Sequence, residues 1–202
     1  MTVSKEALRQ AIEDNAMKLF GIALKEASSN QFYKCVCVAV RDMLTEQRHE
    51  FKQQMRKQQS KQVYYMSMEF LLGRSLKNHL FNMGITQPVA EIAKEFGWDI
   101  EDVFANEPDA GLGNGGLGRL AAAYMESLTN LGYAASGFSI KYDYGIFKQK
   151  IADGWQLELP DEWLEDGAVW LAPRKEDTFQ VRFGGRINQR WEIGRASCRE
   201  RV

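Results

Sequence analysis

The chain has 202 residues, of which 45% are hydrophobic and 26% charged, and its formal net charge is −1. This composition is typical of a globular protein with one sizeable core, and it argues against a basic surface for nucleic acid. No apolar run reaches the length of a membrane span, and the first residues do not have the pattern of a signal peptide, so we expect a cytoplasmic protein.

Two amphipathic helices are predicted at the start of the chain. Ser4 can cap the first, whose apolar residues follow helical spacing as far as Ala23. The second begins near Gln31, and its apolar stripe predicts a buried face made of Phe32, Val36, Val40, Met43, Leu44, Phe51 and Met55. Cys35 and Cys37 point to different faces of this helix, so neither a disulfide nor a metal site is indicated.

The next segment changes to an α/β pattern. Val63 to Met68 is apolar and β-prone, which predicts a strand buried on both faces at the centre of a parallel sheet. Helices are predicted over residues 76–83, 88–96 and 117–131, and shorter strands over 135–142, 147–151, 179–183 and 187–191.

The last ten residues are unlike the rest of the chain. Residues 193–202 read IGRASCRERV, which is the translation of a common sequencing adapter in one reading frame. We therefore interpret them as an adapter-derived tail and leave them out of the fold prediction. Without the three arginines and one glutamate of this tail, the formal net charge becomes −3.

A glycine-rich loop at residues 109–119, DAGLGNGGLGR, is the most informative motif. It leads directly into the predicted helix over 117–131. Glycines let a ligand approach the backbone closely, and the start of a helix offers unpaired N–H groups and a partial positive charge. The combination predicts a site for phosphate or another anion.

Two familiar phosphate loops fit poorly. Gly111, Gly113 and Gly116 satisfy the dinucleotide fingerprint, but the residues before them are polar and include Pro108, where a buried strand is required. A P-loop requires Lys and then Ser or Thr after its last glycine, whereas this chain has Arg119 and a leucine.

Four blocks of the chain together resemble the glycogen and starch (α-1,4-glucan) phosphorylases. They are the glycine loop, VYYMSMEFLLGR at 63–74, YGIFKQK at 144–150, and GWQ with PDEW between 154 and 163. The blocks occur in the family's order and span roughly residues 31–187. Several spaced motifs are far more specific than any one of them.

The resemblance implies an α/β fold in which two Rossmann-like domains face each other across a cleft, the GT-B arrangement. Residues 1–62 would be an N-terminal helical segment, and residues 63–192 an incomplete first Rossmann-like domain. It also implies a glycosyltransferase, homodimeric by family likeness, that uses inorganic phosphate to release glucose 1-phosphate from an α-1,4-glucan.

The implied cofactor is pyridoxal 5′-phosphate, whose phosphate exchanges a proton with the substrate phosphate in this family. The resemblance places the lysine that holds the cofactor in a part of the protein absent from this chain. We therefore expect no catalytic residue here, and an inactive fragment.

The same resemblance assigns binding residues to the glycine loop. The backbone N–H groups of Gly115, Gly116 and Leu117 would approach the substrate phosphate or the sugar, and Asn114 would hold the loop or touch the sugar. Gly115 and Gly116 would also lie near the cofactor. Leu71 would do so too, at a position where animal members of the family have a tyrosine.

Two further residues are expected to support the loop. Glu69 follows the predicted strand at its carboxyl end, where open α/β sheets bind ligands, and by the resemblance it would orient the loop. Arg119 would brace the loop. An equally open interpretation of Arg119 is a surface salt bridge to a carboxylate such as that of Asp109.

The chain departs from the family pattern at two places. Met55 and Arg56 stand where muscle-type members have a tyrosine that stacks on AMP, so allosteric control of that kind is not expected. The block from Trp163 to Trp170 lacks the usual Asn-Pro, which predicts a local alteration. Trp155, Trp163 and Trp170 are interpreted as core or loop anchors rather than sugar-stacking residues.

Two alternatives to the enzyme stay open. The first is a free-standing module that binds phosphate or nucleotide through the glycine loop without catalysis. The second is a folded but inert fragment that associates through an exposed half-core.

Overall fold

A computed structural model describes residues 4–192 and 195–201, and the chain forms two compact units, residues 1–171 and 172–202. The first unit is a helix-rich α/β assembly. Its helices are α1 Lys5–Phe20, α2 Ser29–Lys57, α3 Leu76–Asn82, α4 Thr86–Glu95, α5 Ile100–Ala105, α6 Gly115–Asn130 and α7 Leu164–Gly167. Its strands are β1 Gln62–Met66, β2 Ala134–Phe138, β3 Lys148–Ala152 and β4 Trp155–Leu159.

The first two helices begin and end at recognisable signals. The Ser4 hydroxyl accepts a hydrogen bond from the Ala7 N–H at 3.1 Å, as expected, and α1 ends at Gly21, whose φ is +67°. Ser28 and Gln31 form a capping box, so α2 begins at Ser29, earlier than the predicted start near Gln31.

The core lies between the helices of the first unit. Its fully buried residues include Ile12 of α1, Phe32 and Val36 of α2, Leu80 of α3 and Ile92 of α4. The predicted stripe on α2 is buried only in its first half. Beyond Val40, Met43, Leu44 and Met55 are half-buried, and Phe51 is 37% exposed where it borders an open groove of about 510 Å³.

The strand predicted after α2 is present as β1, and it pairs in parallel with β2, with Tyr64 opposite Ser136. The predicted burial on both faces is wrong: the described sheet has only these two strands, and one face of β1 is half-buried, with Tyr65 against Tyr124 of α6, while the other face is exposed. Tyr64 is 61% exposed and Met66 83% exposed. A central strand needs neighbours on both edges and cover on both faces, and β1 has one neighbour here.

A hairpin follows the parallel pair. β3 and β4 are antiparallel and joined by Asp153 and Gly154, which have φ of 52° and 79°. Asp-Gly is a strong hairpin signal because both residues tolerate positive φ, and the sequence prediction missed it together with β4.

The second unit contains β5 Arg186–Glu192 and β6 Arg195–Arg201, which are antiparallel. The strand predicted over 179–183 is wrong: this stretch is extended and exposed, and Phe183 is 92% exposed. β6 lies within the segment attributed to an adapter, and that origin stays a prediction. Within the described residues, no helix combines the length and the apolar character needed to cross a membrane.

Candidate anion-binding site

The glycine loop connects α5 to α6. It packs against the segment that directly follows β1. The Phe70 N–H donates to the Leu112 carbonyl and the Leu71 N–H to the Gly118 carbonyl, each at 2.9 Å. The Glu69 carboxylate accepts a hydrogen bond from the Asn114 N–H, also at 2.9 Å. The predicted site residues Glu69, Leu71 and Asn114 are therefore brought together.

Three of the loop glycines are required by packing. A Cβ added at Gly113 would lie 2.6 Å from backbone atoms of Phe70 and Leu71, and one at Gly111 would lie 2.5 Å from the Trp163 ring. A Cβ at Gly118 would lie 3.1 Å from the Leu71 nitrogen. These positions are glycine because the loop meets other parts of the protein at backbone distance.

The other two glycines face open space. No heavy atom lies within 4 Å of a Cβ built on Gly115 or Gly116. Gly115 has φ of +56°, a conformation that favours glycine, and it is the first residue of α6. The loop is thus divided into a packed part that fixes its position and an open part at the start of the helix.

The open part carries the positive end of α6. The N–H groups of Gly115, Gly116 and Leu117 are in the first turn, where no intrahelical acceptor exists. Asn114 is the N-cap, but its side chain makes no capping hydrogen bond. The arrangement can therefore bind an anion such as phosphate, with three backbone donors and the helix dipole.

Arg119 does not reach Asp109. Its guanidinium forms an exposed ion pair with Glu126 at 3.3 Å. The Asp109 carboxylate instead lies 3.9 Å from the Arg74 guanidinium. The alternative of a surface salt bridge is therefore confirmed for Arg119, but its partner is Glu126 and not Asp109. The reason is geometric, because Arg119 lies in the first turns of α6 and reaches along the helix to Glu126, two turns away.

Sequence reasoning missed one buried carboxylate next to the loop. Glu107 is 3% exposed and accepts hydrogen bonds from the Ser75 and Leu76 N–H groups and from the indole of Trp170. No periodic pattern marks a single buried acid in a short connection, although Pro108 beside it marks a loop.

Several titratable side chains around Glu107 are buried. Burial raises the pKa of the Tyr33 hydroxyl and of the Cys37 thiol, and the charge of Glu107 raises both further. Burial lowers the pKa of the His79 imidazole, whose ring lies 5.3 Å from that of Trp170. Trp163 is 3% exposed and the Trp170 indole is bonded to Glu107, so both are anchors, as interpreted. The same interpretation is wrong for Trp155, which is 77% exposed.

Fold and loop together define a helix-rich α/β protein with a glycine-rich loop at a helix N-terminus, the candidate anion site. The sequence model of the family described as Carbohydrate phosphorylase matches residues 93–201, and the chain belongs to this family.

Relatives agree over most of the chain. It is 45% identical over 188 residues to a glycogen phosphorylase of Haemophilus influenzae, covering 93% of this chain and 23% of that protein. It is 44% identical over 161 residues to the liver form of human glycogen phosphorylase, covering 80% and 19%. It is 37% identical over 199 residues to a glycogen phosphorylase of Bacillus subtilis, covering 98% and 25%. The chain thus spans a quarter or less of the length of these relatives.

Proposed function

We propose that the complete protein is an α-1,4-glucan phosphorylase. Inorganic phosphate would cleave the terminal glucosyl unit of the glucan and release glucose 1-phosphate with retained configuration. The observation that carries the proposal is the open end of the glycine loop, held by Glu69 at the start of α6, in a chain of this family.

Backbone N–H groups of the glycine loop would bind the substrate. The N–H groups of Gly115, Gly116 and Leu117 would donate to the substrate phosphate or to glucosyl oxygens, and they would stabilise negative charge as the bond breaks. Asn114 would hold the loop through its N–H, or touch the sugar through its free side chain. Glu69 would orient the loop, because it accepts the hydrogen bond from the Asn114 N–H.

The cofactor would be pyridoxal 5′-phosphate, attached to a lysine elsewhere in the protein. The open space at Gly115 and Gly116 fits a phosphate group, because no side chain or backbone occupies it. When bound, the cofactor supplies a phosphate that exchanges protons with the substrate phosphate. Leu71 would line the site near it, with an apolar side chain where animal members carry a tyrosine.

The architecture we propose is the GT-B fold, with residues 1–62 as a helical segment and 63–192 as part of the first Rossmann-like domain. The parallel pair β1–β2, with α6 between the two strands in the chain, supports it. So does the exposed face of this two-stranded sheet, with Tyr64 and Met66, which further elements of a complete domain would cover. Residues 193–202 would be foreign to the protein. We further propose that the complete protein is a homodimer in the cytoplasm.

The test starts with the coding DNA beyond the codon of Glu192, from which the complete protein is expressed. We expect it to form glucose 1-phosphate from glycogen or maltodextrin and phosphate, and to show pyridoxal absorbance. A complete protein that binds nucleotide through the loop but forms no glucose 1-phosphate would instead support the non-catalytic module.

A further inference from the structure

Glu107 stands at the entrance of the glycine loop. One oxygen of its carboxylate accepts hydrogen bonds from the Ser75 N–H and the Trp170 indole N–H, both at 2.8 Å. The other oxygen accepts from the Leu76 N–H at 2.9 Å. A carboxylate with 3% exposure is costly to bury unless it is hydrogen-bonded, and these three donors satisfy it.

The three donors belong to two different parts of the fold. Ser75 and Leu76 end the stretch that follows β1, and the start of the same stretch bonds to the loop at Leu112, Asn114 and Gly118. The segment 69–76 is therefore bonded to the loop side at both of its ends: Glu69 at its start accepts from Asn114, and Ser75 and Leu76 at its end donate to Glu107. The loop position relative to that segment is fixed at both ends.

The third donor links the loop to the helical core. Trp170 lies in a turn that is fixed on α2, because the Arg41 guanidinium donates to the Val169 carbonyl at 2.8 Å. An ion pair between Lys34 and Asp166, also 2.8 Å, holds the preceding α7 on the same helix. Through Trp170, Glu107 thus connects the start of the glycine loop to α2, the longest of the described helices.

We propose that Glu107 is a positioning residue for phosphate binding. By holding Ser75, Leu76 and Trp170, it sets where the segment 69–76 lies under the loop, and through that segment it sets where the N–H groups of Gly115 and Gly116 point. The inference rests on the proposed function, and it adds a residue that makes no contact with the ligand.

The test compares three variants of the complete enzyme. Glu107→Gln keeps the shape of the side chain but replaces one acceptor oxygen by an amide that faces an N–H donor. Trp170→Phe removes one donor and leaves the carboxylate with its two backbone partners. Glu101→Gln is the control, because Glu101 is exposed and pairs with Lys77 at 3.0 Å on the surface.

We expect Glu107→Gln to raise the KM for inorganic phosphate about tenfold or more, and Trp170→Phe to raise it about threefold. The KM for the glucan should rise less than the KM for phosphate, and the pyridoxal absorbance should stay as in the wild type. Hydrogen exchange of the amides in 112–118 should be faster in Glu107→Gln than in Glu101→Gln. A purely structural role would lower thermal stability without this selective change in KM.

An unchanged phosphate KM in folded Glu107→Gln would overturn the inference. If that variant does not fold, Trp170→Phe decides, and an unchanged phosphate KM in it overturns the inference equally. An inactive wild type would overturn the proposed function and this inference together, whereas an active wild type with insensitive variants would overturn this inference alone.

Discussion

Gly113 and Gly116 are three residues apart in the glycine loop. From the structure we expect substitution by alanine to change the free energy of unfolding in opposite directions at the two positions. A methyl group at Gly116 meets open space, and the residue is already helical, so Ala fits. Because Ala is the better helix former, Gly116→Ala should stabilise the complete protein by up to about 1 kcal/mol. A methyl group at Gly113 would lie 2.6 Å from the backbone of Phe70 and should cost about 1–3 kcal/mol through overpacking.

The effects of the two substitutions on activity should not follow their effects on stability. The methyl group of Gly116→Ala stands where the proposed phosphate must approach the N–H groups. Losing one donor of this kind costs about 3–4 kcal/mol in the transition state, so kcat/KM should fall about 10²-fold or more while stability is kept or increased. Gly113→Ala should lose activity together with stability, because the whole loop shifts.

The assay is phosphorolysis of glycogen at varied phosphate, with urea unfolding of the same preparations. Gly132→Ala is the comparison for a loss of stability without a change in the loop, because Gly132 has φ of +73°, which Ala adopts only with strain, and lies outside the loop. A Gly116→Ala enzyme with wild-type kcat/KM would refute the assignment of the open loop end as the phosphate site. A Gly113→Ala protein as stable as the wild type would refute the packing argument.

Three further outcomes are expected. Glu69→Ala should cost about 1–2 kcal/mol in urea unfolding and also reduce kcat/KM, because the Asn114 N–H loses its acceptor, whereas Glu69→Gln, which keeps an oxygen there, should be milder. Arg119→Ala should change the free energy of unfolding by about 0.5 kcal/mol or less, since its pair with Glu126 is exposed; a larger loss would reveal a bracing role. Burial raises the pKa of Cys35 to about 11, so a thiol reagent at pH 8 should leave Cys35 unmodified until urea unfolds the protein; rapid labelling of the native chain would contradict its burial.

Much of the local structure could be predicted because its causes are local. The cap at Ser4, the helical spacing of α1 and α2, and the strand after α2 all depend on neighbours within a few residues. The start of α6 directly after the glycine loop could be predicted for the same reason. The Asp153–Gly154 hairpin was equally local, and it was missed only because its turn chemistry was overlooked.

Burial was predicted less well, because it depends on what packs against an element. The apolar stripe of α2 is continuous in the sequence, yet its second half borders an open groove. β1 is apolar enough for the centre of a sheet but has one neighbour among the described strands. An apolar pattern states what a segment can bury, and only its neighbours decide whether it does so.

The sequence by itself determined the family, most of the helices and the glycine loop proposed as an anion site. The tertiary structure alone decided which glycines serve packing and which face the site, because that depends on distances between segments far apart in the chain, such as Gly113 and Phe70. It likewise decided that Glu107 is buried and that Arg119 pairs with Glu126 instead of Asp109. Hydrogen bonds and close contacts across such separations leave no periodic trace, since their partners are set by how the whole chain folds.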